Sequence, residues 1–232
     1  QKTINFNQNL ANWNTSNVIN MRYMFYNSNF NQPINNWNVS NVKTMDYMFE
    51  SYPPSGVPHP FNQPLNNWNV SNVENFEAMF YNSNFNQDIS SWDISSSTSI
   101  RAMFEYTNFN YDIGDWDTSN ITDMDYIFNE AINFNQDLTG WCVTNILSEP
   151  PKFATSSALS AVNKPIWGTC PSSSSSTPSS FSIDVTATSS SNYTLSGTDR
   201  GGNISGNDPD LIFNVGDTIN FIANASGHPF YL

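Results

Sequence analysis

The chain has 232 residues, of which 38% are hydrophobic and 15% aromatic, so it has enough apolar material for the core of one long domain or two small ones. Only 7 Lys and Arg stand against 20 Asp and Glu, and the resulting net charge of -13 excludes nucleic acid as an expected partner because phosphate backbones would be repelled. No stretch reaches the roughly 18 to 20 apolar residues that a membrane helix needs, so we expect no membrane span in this segment.

Six repeats, most of them 24 residues long, occupy residues 1–145. Trp recurs at steps of 24, 31, 24, 24 and 25, and Phe keeps the same steps. The positions are Trp13, Trp37, Trp68, Trp92, Trp116 and Trp141, with Phe6, Phe30, Phe61, Phe85, Phe109 and Phe134. Such fixed spacing is typical of repeat proteins, whose units bury a core only by stacking. The step of 31 contains a Pro-rich insertion around 51–60, which we expect to loop out.

The residues within one unit predict a short strand followed by a short helix. Four apolar residues of the second unit recur at helical spacing, namely Val42, Met45, Met48 and Phe49. A Ser or Asn stands just before this run and is a suitable N-cap. The predicted fold is therefore an α/β repeat solenoid of the leucine-rich-repeat type, with one strand and one helix per unit.

An Asn follows the Phe of every unit, at Asn7, Asn31, Asn62, Asn86, Asn110 and Asn135. Equivalent positions of stacked units lie above one another, and an amide side chain can both donate and accept hydrogen bonds. We predict that these residues form a structural ladder; ligand binding is the alternative.

Cys142 and Cys170 stand at the two edges of residues 142–171, where the repeat pattern fades. A zinc site would need four closely spaced ligands, which the two His residues of the chain, His59 and His228, do not supply. We therefore predict a disulfide, which implies an oxidising compartment and an extracellular, cell-surface or virion-surface location.

Three further segments follow the repeats: a disulfide-closed C-terminal cap at 146–171, a Ser- and Pro-rich linker at 172–180, and a second domain at 181–232. Apolar residues of the second domain alternate with polar ones, which predicts an antiparallel β-sandwich. We expect the sandwich to be incomplete because only about 50 residues are present. Gly201 to Gly206 is predicted to be a hairpin loop.

No catalytic triad or complete metal-ligand set can be assembled from the sequence, so the chain is not expected to be an enzyme. His59 lies in the Pro-rich insertion and is predicted to be a surface residue. Asp112 and Asp115 are spaced like a glycosidase pair but are expected to be exposed. Asp93 and Asp117 raise the possibility of bound calcium, although one Asp per unit supplies few of the oxygen ligands required.

Five Tyr residues are the candidates for binding a carbohydrate or a protein. Tyr23, Tyr47 and Tyr126 occupy one unit position, and Tyr26 and Tyr81 occupy another. Rigid rings beside Asn and Asp side chains suit such recognition. Partial burial between the units is the alternative interpretation.

The repeat F-N-Q-x-(I/L)-x-x-W-(N/D)-x-S-N-(V/I) resembles the 25-residue repeat of mycoplasma surface lipoproteins, which is related to BspA-type leucine-rich-repeat surface proteins. The resemblance covers residues 1–145 and implies a surface or secreted adhesion module without enzymatic activity. A virion or appendage subunit, such as a fibre or decoration protein, is the alternative function. Because the first residues align with the tail of a unit, further repeats or a partner chain are expected at the N-terminal end.

The segment 210–219, followed by Gly227-His228-Pro229-Phe230, resembles the N-terminal half of a cupredoxin-like domain. That resemblance implies that His228 is one ligand of a copper site, whose Cys and second His are not among these residues. A second alternative function is therefore that the repeats anchor a copper-binding domain.

Overall fold

The computed structural model describes residues 5–52, 56–171, 180–189, 192–199, 202–206, 211 and 218–224. The chain divides into two compact units, Gln1–Pro171 and Ser172–Leu232.

The repeats do not contain the predicted helices. Among the described residues of 1–171 there is no α-helix, and the only helical segment is one 3-10 turn at Ala161–Asn163. Successive repeats are joined by isolated parallel β-bridges, such as those from Thr44 to Asn20 and to Asn75. The predicted α/β solenoid is therefore wrong, because every regular strand lies in the second unit and the repeats are built from turns and single bridges.

Backbone hydrogen bonding explains why the helical spacing does not produce a helix. In the segment 21–28, alternate N–H groups leave the repeat: Tyr23 donates to the carbonyl of Asp46 at 3.1 Å and Phe25 to that of Met48 at 3.0 Å. The N–H groups between them close tight turns, as when Tyr26 donates to the carbonyl of Tyr23 at 3.2 Å. A helix would keep all these donors within one repeat, whereas here half of them join repeat to repeat.

Left-handed backbone conformations recur at two positions of this turn segment. The first position is occupied by Tyr23, Tyr47, Ala78, Ala102, Tyr126 and Lys152, and the second includes Asn27, Asn82, Tyr106, Glu130 and Ser156, all with φ between 46° and 62°. A non-Gly residue in this region costs roughly 1 to 2 kcal/mol and interrupts a right-handed helix. The ladder between repeats compensates for this cost.

Paired Phe rings fill the centre of the stack. In each repeat, the Phe that opens the consensus packs on the Phe of the preceding turn, as in Phe25 and Phe30, whose ring centroids are 3.8 Å apart. Neighbouring pairs lie parallel, with Phe30 6.2 Å from Phe61. All of these rings except Phe6 are buried, so the core is a continuous column of aromatic pairs.

The Trp and Asn residues that recur in every repeat form two hydrogen-bonded columns. Each of five indoles donates to a carbonyl of the preceding repeat, as Trp68 Nε1 does to Ile34 at 3.0 Å. Each Asn side-chain oxygen accepts the backbone N–H of the next Asn, as Asn31 does from Asn62 at 3.0 Å. The predicted Asn ladder is thus confirmed, although its members are half-buried or exposed rather than buried.

Residues 146–171 continue the stack. Phe153 is buried in the aromatic column, and Leu159 stands where the other repeats carry the opening Phe. The backbone N–H of Ser160 donates to the Asn135 side chain at 2.9 Å, which extends the Asn ladder by one step. A disulfide joins Cys142 to Cys170, as predicted.

The described residues of the second unit form four strands, β1 (Ser180–Ser189), β2 (Asn192–Asp199), β3 (Gly202–Gly206) and β4 (Thr218–Asn224). They form one mixed sheet in the order β3-β2-β1-β4, in which β1 and β4 are parallel. The expected antiparallel sandwich is therefore not what the described residues form. The predicted hairpin loop at Gly201 to Gly206 is also wrong, because β3 pairs with β2 from Leu195 to Asp199.

Candidate functional site

The turn segments of successive repeats place the candidate Tyr residues on one surface, here called the tyrosine face. Three columns of equivalent positions form it. The Tyr-Ala column is Tyr23, Tyr47, Ala78, Ala102, Tyr126 and Lys152; the Tyr-Glu column is Tyr26, Glu50, Tyr81, Glu105 and Asn129; the charged column is Arg22, Asp46, Glu77, Arg101 and Asp125. Because backbone bonds fix the register, all five Tyr residues lie in these neighbouring columns.

The Tyr-Ala column is interrupted in its middle. Tyr23 and Tyr47 stack with ring centroids 4.7 Å apart, and Tyr23 also meets Tyr26 edge-on at 5.3 Å. Two Ala residues separate this cluster from Tyr126. The five predicted residues therefore form no single continuous stack.

Arginine side chains of the charged column pair with both the Tyr rings and carboxylates. The Arg22 guanidinium lies 4.9 Å from the centre of the Tyr23 ring and forms a 2.6 Å ion pair with Asp46. Arg101 lies 5.0 Å from the centre of the Tyr126 ring and contacts Asp125 at 2.8 Å. These pairs hold the rings in defined orientations on the surface.

Two buried carboxylates alternate with Tyr in the Tyr-Glu column. Glu105 accepts a 2.6 Å hydrogen bond from the side-chain amide of Asn129 in the next repeat. Glu50, 6% exposed, has an oxygen, Oε2, that is buried and has no hydrogen-bond partner among the described residues. Burial, with the nearby Glu77 carboxylate, raises the pKa of Glu50 to about 7.

The hydroxyl groups of the face share this electrostatic environment. Tyr47 donates to a carboxylate oxygen of Glu77 at 2.5 Å, and burial together with this bond raises the Tyr47 pKa. Burial and the Glu105 carboxylate raise the pKa of Tyr81 to about 12. The hydroxyls of Tyr47 and Tyr81 therefore stay protonated at neutral pH and can donate hydrogen bonds. Sequence analysis missed Glu50 and Glu105, although both share the unit position of Tyr26 and Tyr81.

His59 is not the surface residue that was predicted. It is 1% exposed, and its Nε2 donates to the carbonyl of Phe25 at 2.9 Å. Its Nδ1 accepts the backbone N–H of Phe61 at 3.2 Å, so the ring is neutral. Burial lowers the His59 pKa to about 4.

The Asp residues considered for calcium have structural partners. Asp93 accepts the backbone N–H and the hydroxyl of Ser95, and these bonds lower its pKa. Asp117 accepts the backbone N–H of Ser119 at 3.0 Å. The exposed Asp112 and Asp115 border an open depression on the surface, as expected of solvated side chains.

Calcium and copper were the metals considered from the sequence. Within the part of the chain that the structure describes, no group of three or more His, Cys, Asp or Glu residues is arranged to hold a metal ion. The proposed copper ligand His228 lies outside the described residues. The described residues also contain no helix that is long and apolar enough to cross a membrane.

Comparison with known proteins identifies a family but no individual relative. No curated protein and no solved structure matches the chain. A family model described as "Mycoplasma protein of unknown function, DUF285" matches twice, over residues 1–108 and 83–169. Together these matches span residues 1–169, which include all six repeats. They confirm the resemblance of the repeats to the mycoplasma family. The chain therefore belongs to the DUF285 family.

Proposed function

We propose that residues 1–171 are a non-catalytic recognition module that binds a protein or a glycan through the tyrosine face. The supporting observation is the concentration of aromatic, amide and charged groups in three registered columns of one surface. Tyr23 is 45% exposed and Tyr106, beside the Tyr-Glu column, is 46% exposed. Rings of this kind provide rigid contact area at a low cost in conformational entropy.

The construction of the stack favours a recognition surface that is already organised before binding. Each repeat is joined to the next through backbone bonds, the Trp column and the Asn ladder, so the side chains of the face stand on a fixed frame. A partner then meets rings that are already oriented by Arg22 and Arg101. Less ordering on binding means that less interaction energy is lost.

We also propose an extracellular or surface location, which the Cys142–Cys170 disulfide supports because such bonds persist in oxidising compartments. The cupredoxin-like character of residues 181–232 stays a proposal that rests on the sequence around 210–230. Visible absorbance of the full-length protein after loading with copper tests the copper site that this resemblance implies.

Binding to a glycan array and to cells tests the recognition proposal. A variant with Tyr23, Tyr26, Tyr47, Tyr81 and Tyr126 all changed to Ala is expected to lose at least tenfold in affinity relative to the unmodified chain, as expected when interface anchors are truncated. Tyr111→Ala is the matched control, because Tyr111 is 39% exposed but lies in the F-N-Q segment away from the face. Full binding by the five-Tyr variant, with a native circular dichroism spectrum, would rule out this surface.

A further inference from the structure

Among the described residues, no group donates a hydrogen bond to Oε2 of Glu50. The Glu50 side chain is 6% exposed, and this oxygen is buried. A buried acceptor left unpaired destabilises the folded state, and more so when it is charged. Such a group calls for a donor beyond the described residues, which a bound partner can supply.

Glu105 shows how the same position is satisfied elsewhere in the column. It is 8% exposed, almost as buried as Glu50, yet Asn129 of the next repeat donates to it at 2.6 Å. Burial raises the pKa of Glu105, but the Asn129 bond and the positive charges on Lys152 and Arg101 oppose that shift. Glu50 is followed in its column by Tyr81 instead of Asn, and the only charged group that shifts its pKa is the carboxylate of Glu77.

The groups around Glu50 fit a positively charged guest. The register of the repeats places Glu50 between Tyr26 and Tyr81 in the Tyr-Glu column. Burial raises the pKa of the Tyr26, Tyr47 and Tyr81 hydroxyls, and the Glu50 carboxylate is a lesser cause for each, so Tyr side chains of three successive repeats lie within electrostatic reach of it. Aromatic faces and carboxylates both attract cations. The overall charge of -13 adds a long-range attraction for a basic partner.

The unpaired oxygen also selects among cations. A quaternary ammonium can lie against aromatic rings but has no N–H to donate, so it would leave Oε2 unsatisfied. A primary ammonium carries three donors and can take the place that Asn129 has at Glu105.

We propose that Glu50, with Tyr26 and Tyr81 on either side of it, binds the primary ammonium group of a lysine side chain on a protein partner. This inference deepens the proposed recognition function and rests on it. It assigns the cationic contact of the partner to the second repeat, at the centre of the Tyr-rich half of the face.

Titration with n-butylammonium chloride at pH 8 tests the site, using NMR of the full chain with ring-labelled Tyr at constant ionic strength. Saturable shifts are expected at Tyr26 and Tyr81. Glu50→Gln should weaken binding about tenfold to hundredfold, since a buried hydrogen bond to a charge is lost. Glu105→Gln, the matched control, should change it less than about twofold.

Tetramethylammonium chloride at the same concentrations should give no saturable shift. Equal responses to both salts, or unchanged binding by a folded Glu50→Gln variant, would overturn the inference. If that variant fails to fold, the unmodified chain decides: binding should weaken as the pH falls from 8 to 5, because Glu50 takes up a proton beside Glu77, Tyr26, Tyr47 and Tyr81. Constant binding over this range would also overturn it.

Two further ligands distinguish a lysine side chain of a protein from a free polyamine as the source of the ammonium group. A blocked Gly-Gly-Lys-Gly-Gly peptide should bind as butylammonium does, whereas spermidine binding without peptide binding would indicate a free polyamine and contradict the protein partner. Different results would contradict the two proposals. If the five-Tyr variant loses partner binding but Glu50→Gln binds the partner normally, the tyrosine face is supported and the lysine site is ruled out.

Discussion

His59 ties the insertion of the second repeat into the stack through both ring nitrogens. Ser28, Ser83 and Thr107 occupy the equivalent position two residues before the Phe, and the hydroxyls of all three accept the same backbone N–H bond that His59 Nδ1 accepts. Counting back from Phe61 would have placed His59 in this buried series. The Pro residues around it instead led to the prediction of a surface loop.

Replacing His59 by Ser should destabilise the stack by about 2 to 3 kcal/mol at pH 7.5, because the bond to Phe25 is lost and a cavity is left. The difference should be pH-dependent. Since the pKa of His59 is about 4 in the folded chain and 6.5 when unfolded, its contribution is fully present above pH 6.5 and is lost as the pH falls towards 4. Urea unfolding of both proteins between pH 4 and 8 measures this; a constant difference would contradict it.

The contribution of Glu50 to the free energy of unfolding should have the opposite pH dependence. Its pKa is raised from 4.5 to about 7 on folding, so the folded state holds the extra proton and loses stability as the pH rises through this range. Glu50→Gln should therefore be more stable than the unmodified chain at pH 8, by about 1 to 3 kcal/mol, and similar to it at pH 4.5. Urea unfolding checks this, with Glu105→Gln as the control that should stabilise less, because Asn129 already donates to Glu105 and opposes the effect of burial on its pKa.

At the scale of the element, the turn segment shows what periodicity can and cannot establish. The apolar spacing correctly placed Met45, Met48 and Phe49 in the core. It did not distinguish a helix from turns in which every second N–H bonds to the next repeat. The first left-handed position carries Tyr, Ala or Lys, whereas Gly or Asn is the usual signal, and only two repeats have Asn at the second.

The same limit applies to the candidate site. Equal spacing placed the Tyr residues on one surface, but the interruption by Ala78 and Ala102 and the unpaired carboxylate of Glu50 depend on packing between repeats.

The Trp column predicts a position-dependent loss of stability. Trp68→Phe removes the donor to the carbonyl of Ile34 inside the stack and should cost about 2 to 4 kcal/mol in the free energy of unfolding. Trp13→Phe should cost less than about 1 kcal/mol, because Trp13 is 55% exposed. Denaturant unfolding compares the two; equal losses would show that the column contributes only ring contacts.

At the scale of the whole molecule, the backbone hydrogen bonds that the turn segments donate run in one direction along the stack. Backbone donors of each turn segment reach carbonyls of the following repeat, and the last such set runs from Tyr126, Phe128 and Glu130 to residues 151, 153 and 155. Residues 146–171, predicted to be the C-terminal cap because their sequence departs from the consensus, receive these bonds with a degenerate sequence. Backbone pairing therefore outlasts the side-chain pattern there.

The disulfide should protect this last step of the stack. Closing a loop with a sequence separation of 28 stabilises by about 3 to 4 kcal/mol in the chain-entropy model, and Cys142→Ser removes that contribution. Because Tyr126, Phe128 and Glu130 donate to the segment that loosens, their amides should exchange with deuterium faster in the variant.

Amides in the middle of the stack supply the internal control. Phe76, Ala78 and Phe80 donate to residues 99, 101 and 103, which the disulfide does not enclose, so their exchange should be unchanged. Hydrogen exchange with mass spectrometry separates the two sets. If exchange becomes faster in both sets, residues 5–171 open as one cooperative unit and the disulfide stabilises the whole stack. If it becomes faster only at Tyr126, Phe128 and Glu130, the stack opens from the end that Cys142 and Cys170 close.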